Sequence, residues 1–341
     1  MVNFLSSNPI NATVFIPVFN GEKYLKELLN SLYSQNCDFS FEVLIIDSGS
    51  SDSSLTIIQE FPQVRLHQIP NSEFGHGKTR NLAVSLARGE FIVFLTQDAI
   101  PASTNWLKEI IDPFSLRNDV VGVLGKQIPR PNAIPSVRYD IEMMFRQQGA
   151  NQGWTLFNLE TIQNVVPENS RLGIDPEYNR LYFYSDVNSA ARRSFLSDKI
   201  PYRDVKYAED QMFCKDFIDA GYSKVYAPAA AVIHSNDFTL SDYGPRIFDE
   251  TIGLRKIGFE VTPISILTQV KGVVFGTLGT VYRISKDKRF SFSKKLNDCY
   301  FAFFFEVAKW SNLRKASLTN LDDKKYLDSN SLEYRKKNQS S

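Results

Sequence analysis

The sequence has only three cysteines, no leader-like N-terminus and no long apolar run. Cys37, Cys214 and Cys299 are odd in number, far apart and outside any metal-ligand spacing, so we expect reduced thiols and no disulfide framework. No basic stretch precedes an apolar one at the N-terminus, and no run reaches about 18 apolar residues, so we expect neither a signal peptide nor a spanning helix. These absences favour a cytoplasmic protein.

The net charge is close to zero, at +1, and this excludes nucleic acid as an expected partner. The balance is nevertheless uneven, because residues 262–341 carry 15 Lys and Arg against 7 Asp and Glu. That basic segment is predicted to have a separate role. No Gly-x-Gly-x-x-Gly motif follows the first predicted strand, which argues against a nicotinamide-binding protein.

The sequence does contain the alternation of buried strands and amphipathic helices that is typical of α/β proteins. Strands are predicted at 13–17, 42–47, 64–68, 91–95, 120–124 and 185–191, with two short strands at 225–227 and 231–234 around Pro228. A carboxylate, Asp98, follows the apolar run at 91–95. Open α/β sheets bind ligands at the carboxyl ends of their strands, so Asp98 is a candidate functional residue. The alternative is that Asp98 only caps the next turn.

A glycine-containing loop precedes the Asp98 strand and leads into a helix predicted at 79–87. Gly75 and Gly77 on either side of His76 allow the backbone to approach a ligand closely, and the helix start offers free N–H groups. Lys78 and Arg80 add positive charge. The pattern indicates an anion site, with a plain glycine turn as the alternative.

Six motifs occur in a distinctive order: Ile-Pro-Val-Phe-Asn-Gly at 16–21, Ile-Asp-Ser-Gly-Ser-Ser-Asp at 46–52, Gly-His-Gly-Lys-Thr-Arg-Asn at 75–81, Thr-Gln-Asp-Ala at 96–99, Glu-Asp at 209–210 and Val-Ile-His-Ser at 232–235. On these motifs, residues 11–260 resemble the family-2 glycosyltransferases of GT-A fold, and among them the bacterial rhamnosyltransferases that build surface polysaccharides. The resemblance implies an α/β, Rossmann-like, mostly parallel sheet flanked by helices, with a helical C-terminal extension.

The resemblance implies that Asp47 accepts a hydrogen bond from N3–H of a thymine or uracil base, since a carboxylate only accepts. Alternatively, Asp47 bonds the backbone of its own loop, and both roles are open. The same resemblance implies a nucleotide-sugar pocket that also includes Pro17, Phe19, Asn20, Ser48, Gly75, His76, Gly77, Lys78, Arg80, Gln97 and Asp98.

By the same resemblance, Asp98 matches the last Asp of an Asp-x-Asp motif and ligates Mg²⁺ or Mn²⁺ at the diphosphate. Thr96 replaces the first Asp, which leaves fewer anionic ligands. His234 completes the metal shell or contacts the diphosphate, with a buried structural role as the alternative. Asp210, next to Glu209, matches the catalytic base of inverting members. The alternative is that both acids favour the N-terminus of their helix.

The expected activity is inverting transfer of L-rhamnose from dTDP-L-rhamnose to a saccharide or lipid-linked saccharide in cell-surface polysaccharide synthesis. Transfer of a hexose or N-acetylhexosamine from a UDP carrier is an alternative, and a non-catalytic saccharide-binding or assembly protein is another. Acceptor contacts are predicted at Asn188, Ser189, Arg192 and Arg193.

We predict a GT-A domain over 1–261, with a nucleotide-sugar half at about 11–126 and an acceptor half at about 127–261. A helical basic extension covers 262–321, and 322–341 are predicted to be disordered. Apolar runs such as 300–305 beside Lys and Arg suit a peripheral position on the anionic inner face of the cell membrane. The alternative is that these runs complete the core or form the interface of a homo-oligomer.

Overall fold

The computed structural model describes residues 10–149, 153–162, 180–205, 207–236 and 238–339. These residues form two compact units. The first lies within Met1–Ile128, Met144–Val166 and Glu177–His234, and the second within Pro129–Met143, Pro167–Pro176 and Ser235–Ser341. The second unit therefore begins, in the C-terminal part of the chain, before the boundary predicted at residue 261.

The first unit holds the sheet. Its described strands are β1 (Ala12–Val18), β2 (Phe41–Asp47), β3 (Arg65–Gln68), β4 (Phe91–Leu95), β5 (Ile100–Pro101), β6 (Val120–Ile128), β7 (Thr155–Phe157), β8 (Asn188–Arg192) and β9 (Ser223–Ile233). The described helices are α1 (Glu22–Tyr33), α2 (Ser54–Gln59), α3 (His76–Leu86), α4 (Trp106–Ile111), α6 (Leu159–Ile162), α7 (Arg193–Asp198) and α8 (Glu209–Asp219), together with α5 (Pro135–Gln148), whose residues are divided between the two units.

The strand order is β3-β2-β1-β4-β8-β6-β9-β5, with β7 paired to β9. The pairs β3/β2, β2/β1, β1/β4 and β6/β9 are parallel, whereas β8 runs antiparallel to both β4 and β6. The predicted α/β architecture is confirmed, and the described sheet is mixed. Because β1, β2 and β4 are parallel neighbours, the loops that follow them meet at one edge.

Hydrophobic burial explains this half of the sheet. β4 is buried along its whole length, and β1 and β2 nearly so, as continuous apolar runs between two helical layers require. α1 places Leu25, Leu28, Leu29 and Leu32 at helical spacing, and all four are fully buried.

β9 differs from its prediction as two short strands. It is one strand whose pairing with β6 shifts register between Ala227 and Ala231. Pro228 lies in this irregularity, where its missing N–H interrupts no regular ladder. The strand therefore continues past the proline. α3 also differs from its prediction, because it begins at His76 and so includes the second glycine of the loop.

The second unit is helical beyond residue 239. It contains α9 (Leu240–Lys256), α10 (Ile266–Lys286), α11 (Phe292–Leu318), α12 (Lys324–Asn330) and α13 (Leu332–Gln339). The hydroxyls of Ser265 and Ser291 cap α10 and α11 by accepting from Thr268 N and Lys294 N. In place of the disorder predicted for 322–341, the two short helices α12 and α13 pack on this unit, with Leu327 buried against Phe248. None of the helices described here is long and apolar enough to cross a bilayer.

Candidate active site

The loops after β1 and β4 are fastened together by one side-chain amide. Gln97 Oε1 accepts from Phe19 N at 2.9 Å, and Gln97 Nε2 donates to Phe19 O at 3.1 Å. A Cβ at Gly21 would lie 2.7 Å from Gln97 Oε1, so a larger residue there would displace this amide. Phe19 is 39% exposed, which leaves its ring available at this edge.

The loops after β1 and β2 are joined through Asn20. Its φ is +51°, a left-handed conformation that asparagine tolerates better than most residues. Asn20 Oδ1 accepts from Ser51 N at 2.8 Å, and Asn20 N donates to Ser50 Oγ at 2.9 Å. Asn20 therefore holds the two loops in a fixed relation.

Asp47 ends β2 and is completely buried. Its Oδ1 accepts from Gly49 N and Ser50 N at 3.0 and 3.1 Å, and Ser50 Oγ donates to Oδ2. Ser48 in turn binds Val18 O through its own N–H and hydroxyl. Asp47 thus braces its own loop, as one of the two predicted roles requires. Its contact with a base stays a prediction.

Asp98 and His234 meet because β5 pairs with the end of β9. Ile100 lies opposite Ile233, which brings the turn that carries Asp98 beside the residue that follows β9. Asp98 Oδ2 lies 3.4 Å from His234 Nε2. The Asp98 side chain is 29% exposed and that of His234 only 6%, so the carboxylate is the member of the pair that is accessible from solvent.

The other ring nitrogen of His234 contacts a side-chain amide. Nδ1 lies 3.1 Å from Gln127 Oε1, and Gln127 Nε2 donates to Ser185 Oγ at 3.1 Å. In the tautomer in which Nδ1 donates to the Gln127 oxygen, the Nε2 lone pair of His234 faces Asp98. Two acceptors that face each other in this way suit a cation between them.

Asp98 and His234 are therefore a donor set that fits a divalent cation, although a sparse one. In the part of the chain that the structure describes, no group of three or more His, Cys, Asp or Glu side chains gathers to hold a metal. A cation here would need oxygen ligands from a bound molecule. The buried hydroxyl of Thr96 agrees with a bound molecule at this place, because it makes no hydrogen bond to the described residues.

The loop at 75–78 contacts the segment that precedes α8. A Cβ at Gly77 would lie 2.2 Å from Arg203 O, so glycine is required for backbone to approach backbone. His76 Nδ1 lies 4.0 Å from Glu209 Oε1, whereas Lys78 is exposed. The predicted anion-binding loop therefore also supports the start of α8.

Arg80 is buried on α3, at 8% exposure. Its Nε lies 2.6 Å from Asp186 Oδ2, and its Nη1 lies 2.6 Å from Glu209 Oε1. The guanidinium also lies over the ring of Tyr202, 5.7 Å from the ring centroid. The predicted donor residue Arg80 and the predicted catalytic residue Glu209 are thus each other's ion-pair partners.

Asp210 lies at the start of α8, partly buried. Gln211 N donates to its Oδ1 at 2.8 Å, and Asp186 N donates to its Oδ2 at 3.2 Å. Burial, together with the negative charges of Glu209 and Asp186, raises the pKa of Asp210 to about 8, and Arg80 opposes this effect. Such a high proton affinity is what a general base needs near neutral pH.

Asp210 and Asp98 lie at the same edge of the sheet. In the antiparallel β4/β8 pair, Asn188 lies opposite Leu95, so the residues just before β8 lie where β4 ends. Asp186, which binds Asp210, is among them. Ser185 at the same place belongs to the chain of contacts that runs through Gln127 to His234.

The four predicted acceptor residues have structural contacts. Asn188 is fully buried, accepts from Trp106 Nε1 and donates to Lys126 O and Ala230 O. Ser189 donates to Asp186 Oδ1 at 2.6 Å.

Arg192 and Arg193 lie at the other end of β4, because Arg192 pairs with Phe91. Their guanidinium groups donate to backbone oxygens, of Val120 and Phe114 for Arg192 and of Gly89 for Arg193. A contact of these two arginines with an acceptor stays a prediction.

Residues that sequence reasoning missed complete this edge. They are Gln127, Asp186 and the pair Asn81 and Tyr202, in which Asn81 Nδ2 donates to Tyr202 O and Asn81 Oδ1 accepts from Tyr202 N. Gln127 had a signal, since it follows the strand predicted at 120–124. Asp186 also had one, as a carboxylate within the strand predicted at 185–191.

Comparison with known proteins supports the fold. The structure is similar to that of the mannosyltransferase PcManGT from Pyrobaculum calidifontis in complex with GDP-Man and Mn²⁺, with a TM-score of 0.57 and 15% identity over 93% of this chain and 89% of the other. The α/β GT-A fold predicted from the motifs is confirmed.

Sequence relatives identify the family. The chain is 28% identical to the O-antigen chain rhamnosyltransferase RfbN of Salmonella typhimurium and 32% identical to the O-antigen chain rhamnosyltransferase WbaN of Salmonella anatum, in each case over 70% of both chains. The model of glycosyl transferase family 2 matches residues 13–196, just over half of the chain. The chain belongs to this family.

Proposed function

We propose that this glycosyltransferase is an inverting rhamnosyltransferase of cell-surface polysaccharide synthesis that uses dTDP-L-rhamnose. The observation that carries the mechanism is the placement of Asp210 at the sheet edge that also holds Asp98 and His234. The O-antigen chain rhamnosyltransferases at 28% and 32% identity support the sugar and the pathway class.

Asp210 would take the proton from an acceptor hydroxyl as that oxygen attacks the anomeric carbon. The new glycosidic bond forms while the bond from the anomeric carbon to the diphosphate oxygen breaks, and the electron pair leaves with the nucleoside diphosphate. Attack on the face opposite the leaving group inverts the anomeric centre. Asp210 suits this role because its raised pKa gives it a strong affinity for the proton.

Asp98 and His234 would hold Mg²⁺ or Mn²⁺, and the cation would offset charge on the leaving diphosphate. The nucleotide would lie over the loops that Asn20 and Gln97 fasten together, with Asp47, Ser48 and Phe19 at the base. Because those loops are already tied by hydrogen bonds, little ordering is needed when the donor binds.

A nucleotide panel tests the donor. The melting temperature should rise with dTDP more than with UDP or GDP, and the dTDP shift should grow with Mn²⁺, because a ligand that binds only the folded state stabilises it. A larger UDP shift would favour a UDP-sugar donor. Transfer from dTDP-L-rhamnose should fall by at least about 100-fold in Asp210→Asn, with the dTDP shift retained.

The second unit supports a peripheral position on an anionic membrane. α10 and α11 each expose a stripe of apolar side chains at helical spacing. The stripe on α10 consists of Ile266, Leu267, Val270, Val274, Phe275, Leu278 and Tyr282. The stripe on α11 consists of Phe292, Leu296, Tyr300, Phe303, Phe304 and Val307. Their exposure reaches 64% at Phe275 and 76% at Phe292. Contiguous apolar surface of this kind marks an interaction site.

The stripes are not the faces by which the two helices pack. A Cβ at Gly272 would lie 2.2 Å from the ring of Trp310, and one at Gly276 would lie 2.4 Å from Glu306 Oε2, so α10 and α11 approach closely through small residues. Residues 286–295, at the turn between the helices, carry five basic side chains and one acidic one. Exposed apolar stripes beside clustered cations are complementary to an anionic bilayer surface.

Sedimentation with vesicles tests this position. The chain should sediment with phosphatidylglycerol-containing vesicles and less with pure phosphatidylcholine. The triple variant Phe275→Ser, Tyr300→Ser, Phe304→Ser should lose binding, and Leu116→Ser, at another exposed apolar residue, should keep it. If the chain binds neither kind of vesicle, and light scattering shows a dimer for wild type but a monomer for the triple variant, the stripes bind a second copy instead.

A further inference from the structure

The cluster around Arg80 connects three separate segments of the first unit. Arg80 comes from α3, Asp186 from the loop before β8, and Glu209 from the start of α8. All three residues are buried, at 8%, 2% and 5% exposure. The buried guanidinium lies 2.6 Å from one oxygen of each carboxylate, and these two ion pairs restrict how far the three segments can move apart.

Both carboxylate partners are coupled to Asp210 through the backbone. Asp186 N donates directly to Asp210 Oδ2 at 3.2 Å. Glu209 is its neighbour in the chain, and it follows Ala208, whose φ of +60° is costly for a residue other than glycine. Surrounding contacts must impose that conformation, and the Arg80 to Glu209 ion pair is one of them. Moving Arg80 would therefore move both segments that orient Asp210.

α3 also contacts the segment that precedes Glu209 at two further points. Asn81 forms paired hydrogen bonds with the backbone of Tyr202, and Gly77 lies against Arg203 O. Tyr202, Arg203 and Glu209 therefore take their positions from one face of one helix. A donor-binding role needs Arg80 to reach the nucleotide, but its charged nitrogens already face Asp186 and Glu209.

We propose that Arg80 is a positioning residue for Asp210, acting through Asp186 and Glu209, and not a donor-binding residue. This inference rests on the proposed function, in which Asp210 is the base. Asp186 is its second component, since its carboxylate anchors Arg80 while its N–H orients Asp210. Ser189 completes the cluster by donating to Asp186 Oδ1 at 2.6 Å.

The electrostatics of the cluster agree with this role. Arg80 faces the carboxyl groups of Asp186, Glu209 and Asp210. His76 approaches Glu209 from α3, and Tyr202 lies beside the guanidinium. Tyr184 lies near Asp186, and Cys214 lies near both Asp186 and Asp210. Burial raises the pKa of Asp186, and Arg80 opposes this effect as it does at Asp210. Loss of Arg80 should therefore raise the pKa of Asp210 further.

The test compares Arg80→Met and Arg80→Lys with wild type by steady-state kinetics over pH 6 to 10 and by binding of dTDP with Mn²⁺. Arg80→Met should lower kcat by at least about 100-fold, leave the dTDP affinity within about twofold, and move the basic rise of the pH profile to higher pH. Arg80→Lys keeps the charge and should recover part of kcat. The control Arg65→Met breaks a 2.6 Å ion pair with Glu42 elsewhere in the unit and should leave kcat and the pH profile unchanged.

Loss of dTDP affinity in Arg80→Met with kcat retained at saturation would overturn the proposal and restore a donor-binding role. A lowered kcat with an unmoved pH profile would also overturn it. If Arg80→Met does not fold, Arg80→Lys carries the same comparison. If wild type transfers no sugar, the proposed function fails. The effect of Arg80 on Asp210 can then still be tested by comparing how the melting temperatures of Arg80→Lys and of the double variant Arg80→Lys, Asp210→Asn depend on pH.

Discussion

Replacing Asp210 by Asn should make the protein more stable while it abolishes transfer, and the gain should depend on pH. The pKa of Asp210 is about 8 in the folded protein and about 3.9 in an unfolded chain. The folded state therefore favours the protonated carboxyl. The contribution of Asp210 to stability is fully present below about pH 4 and is lost as pH rises towards 8. Asparagine does not titrate and avoids that loss.

The size of the gain follows from the two pKa values. Each pKa unit corresponds to about 1.4 kcal/mol, so their difference sets a ceiling of about 6 kcal/mol above pH 8. Asp210 lies against the negative charges of Glu209 and Asp186, so part of the effect belongs to this group of carboxyls and not to Asp210 alone. We expect about 2 kcal/mol at pH 8.5, or a rise in melting temperature of about 5 °C, and a rise below about 2 °C at pH 5.

Differential scanning calorimetry at pH 5 and pH 8.5 measures the effect. The control is Asp119→Asn: burial raises the pKa of Asp119, but hydrogen bonds from Ser223 and Arg117 lower it more, and the net pKa is lowered. Its ionised form therefore stabilises the fold, and the variant should melt lower than wild type at both pH values. A melting temperature of Asp210→Asn that falls at pH 8.5, or rises equally at both, would refute the account of Asp210.

Three further predictions follow from the site and its support. His234→Gln should abolish the extra stabilisation that Mn²⁺ gives to the dTDP complex and leave the metal-free dTDP shift in place; an unchanged metal effect in thermal melts would remove His234 as a ligand. Gly77→Ala should lower the free energy of unfolding, measured in urea, by about 1 to 3 kcal/mol, because the new Cβ would lie 2.2 Å from Arg203 O. The control is Gly279→Ala in a helix, where a Cβ would have no neighbour within 4 Å. This variant should be neutral or more stable by up to about 1 kcal/mol. Asn188→Ala should cost about 2 to 3 kcal/mol, since it leaves the buried Trp106 indole N–H without its acceptor; a cost below about 0.5 kcal/mol would contradict the buried network.

The strand-end residues were predictable because local sequence determines them. An apolar run that stops at a polar residue marks both the strand and its carboxyl end, and this places Asp47 and Asp98 at one edge. The helical tail of 324–339 was less accessible, since polar residues in short helices give no periodic signal. Its helices depend on tertiary contacts, such as Asp249 accepting from Leu332 N and Glu333 N.

The partners of Arg80 could not be predicted for a related reason. A basic residue beside a glycine-containing loop fits an anion site, and the sequence carries no sign that Asp186 and Glu209 would supply the negative charge. Likewise, the positions of Arg192 and Arg193 could not be predicted, because the sequence does not give the direction of β8. Its antiparallel pairing with β4 puts the end of β8 at the opposite edge from Asp98.

The pairing of β5 with β9 also determines the order in which the parts of the candidate site can form during synthesis. The loops tied by Asn20 and Gln97 are complete once residue 98 has emerged from the ribosome, whereas His234 arrives with the last strand. Contacts between distant parts of a chain form after local ones. We therefore expect a nascent or truncated chain that lacks β9 to form these loops without the Asp98 and His234 pair, so that activity appears only when the sheet is complete.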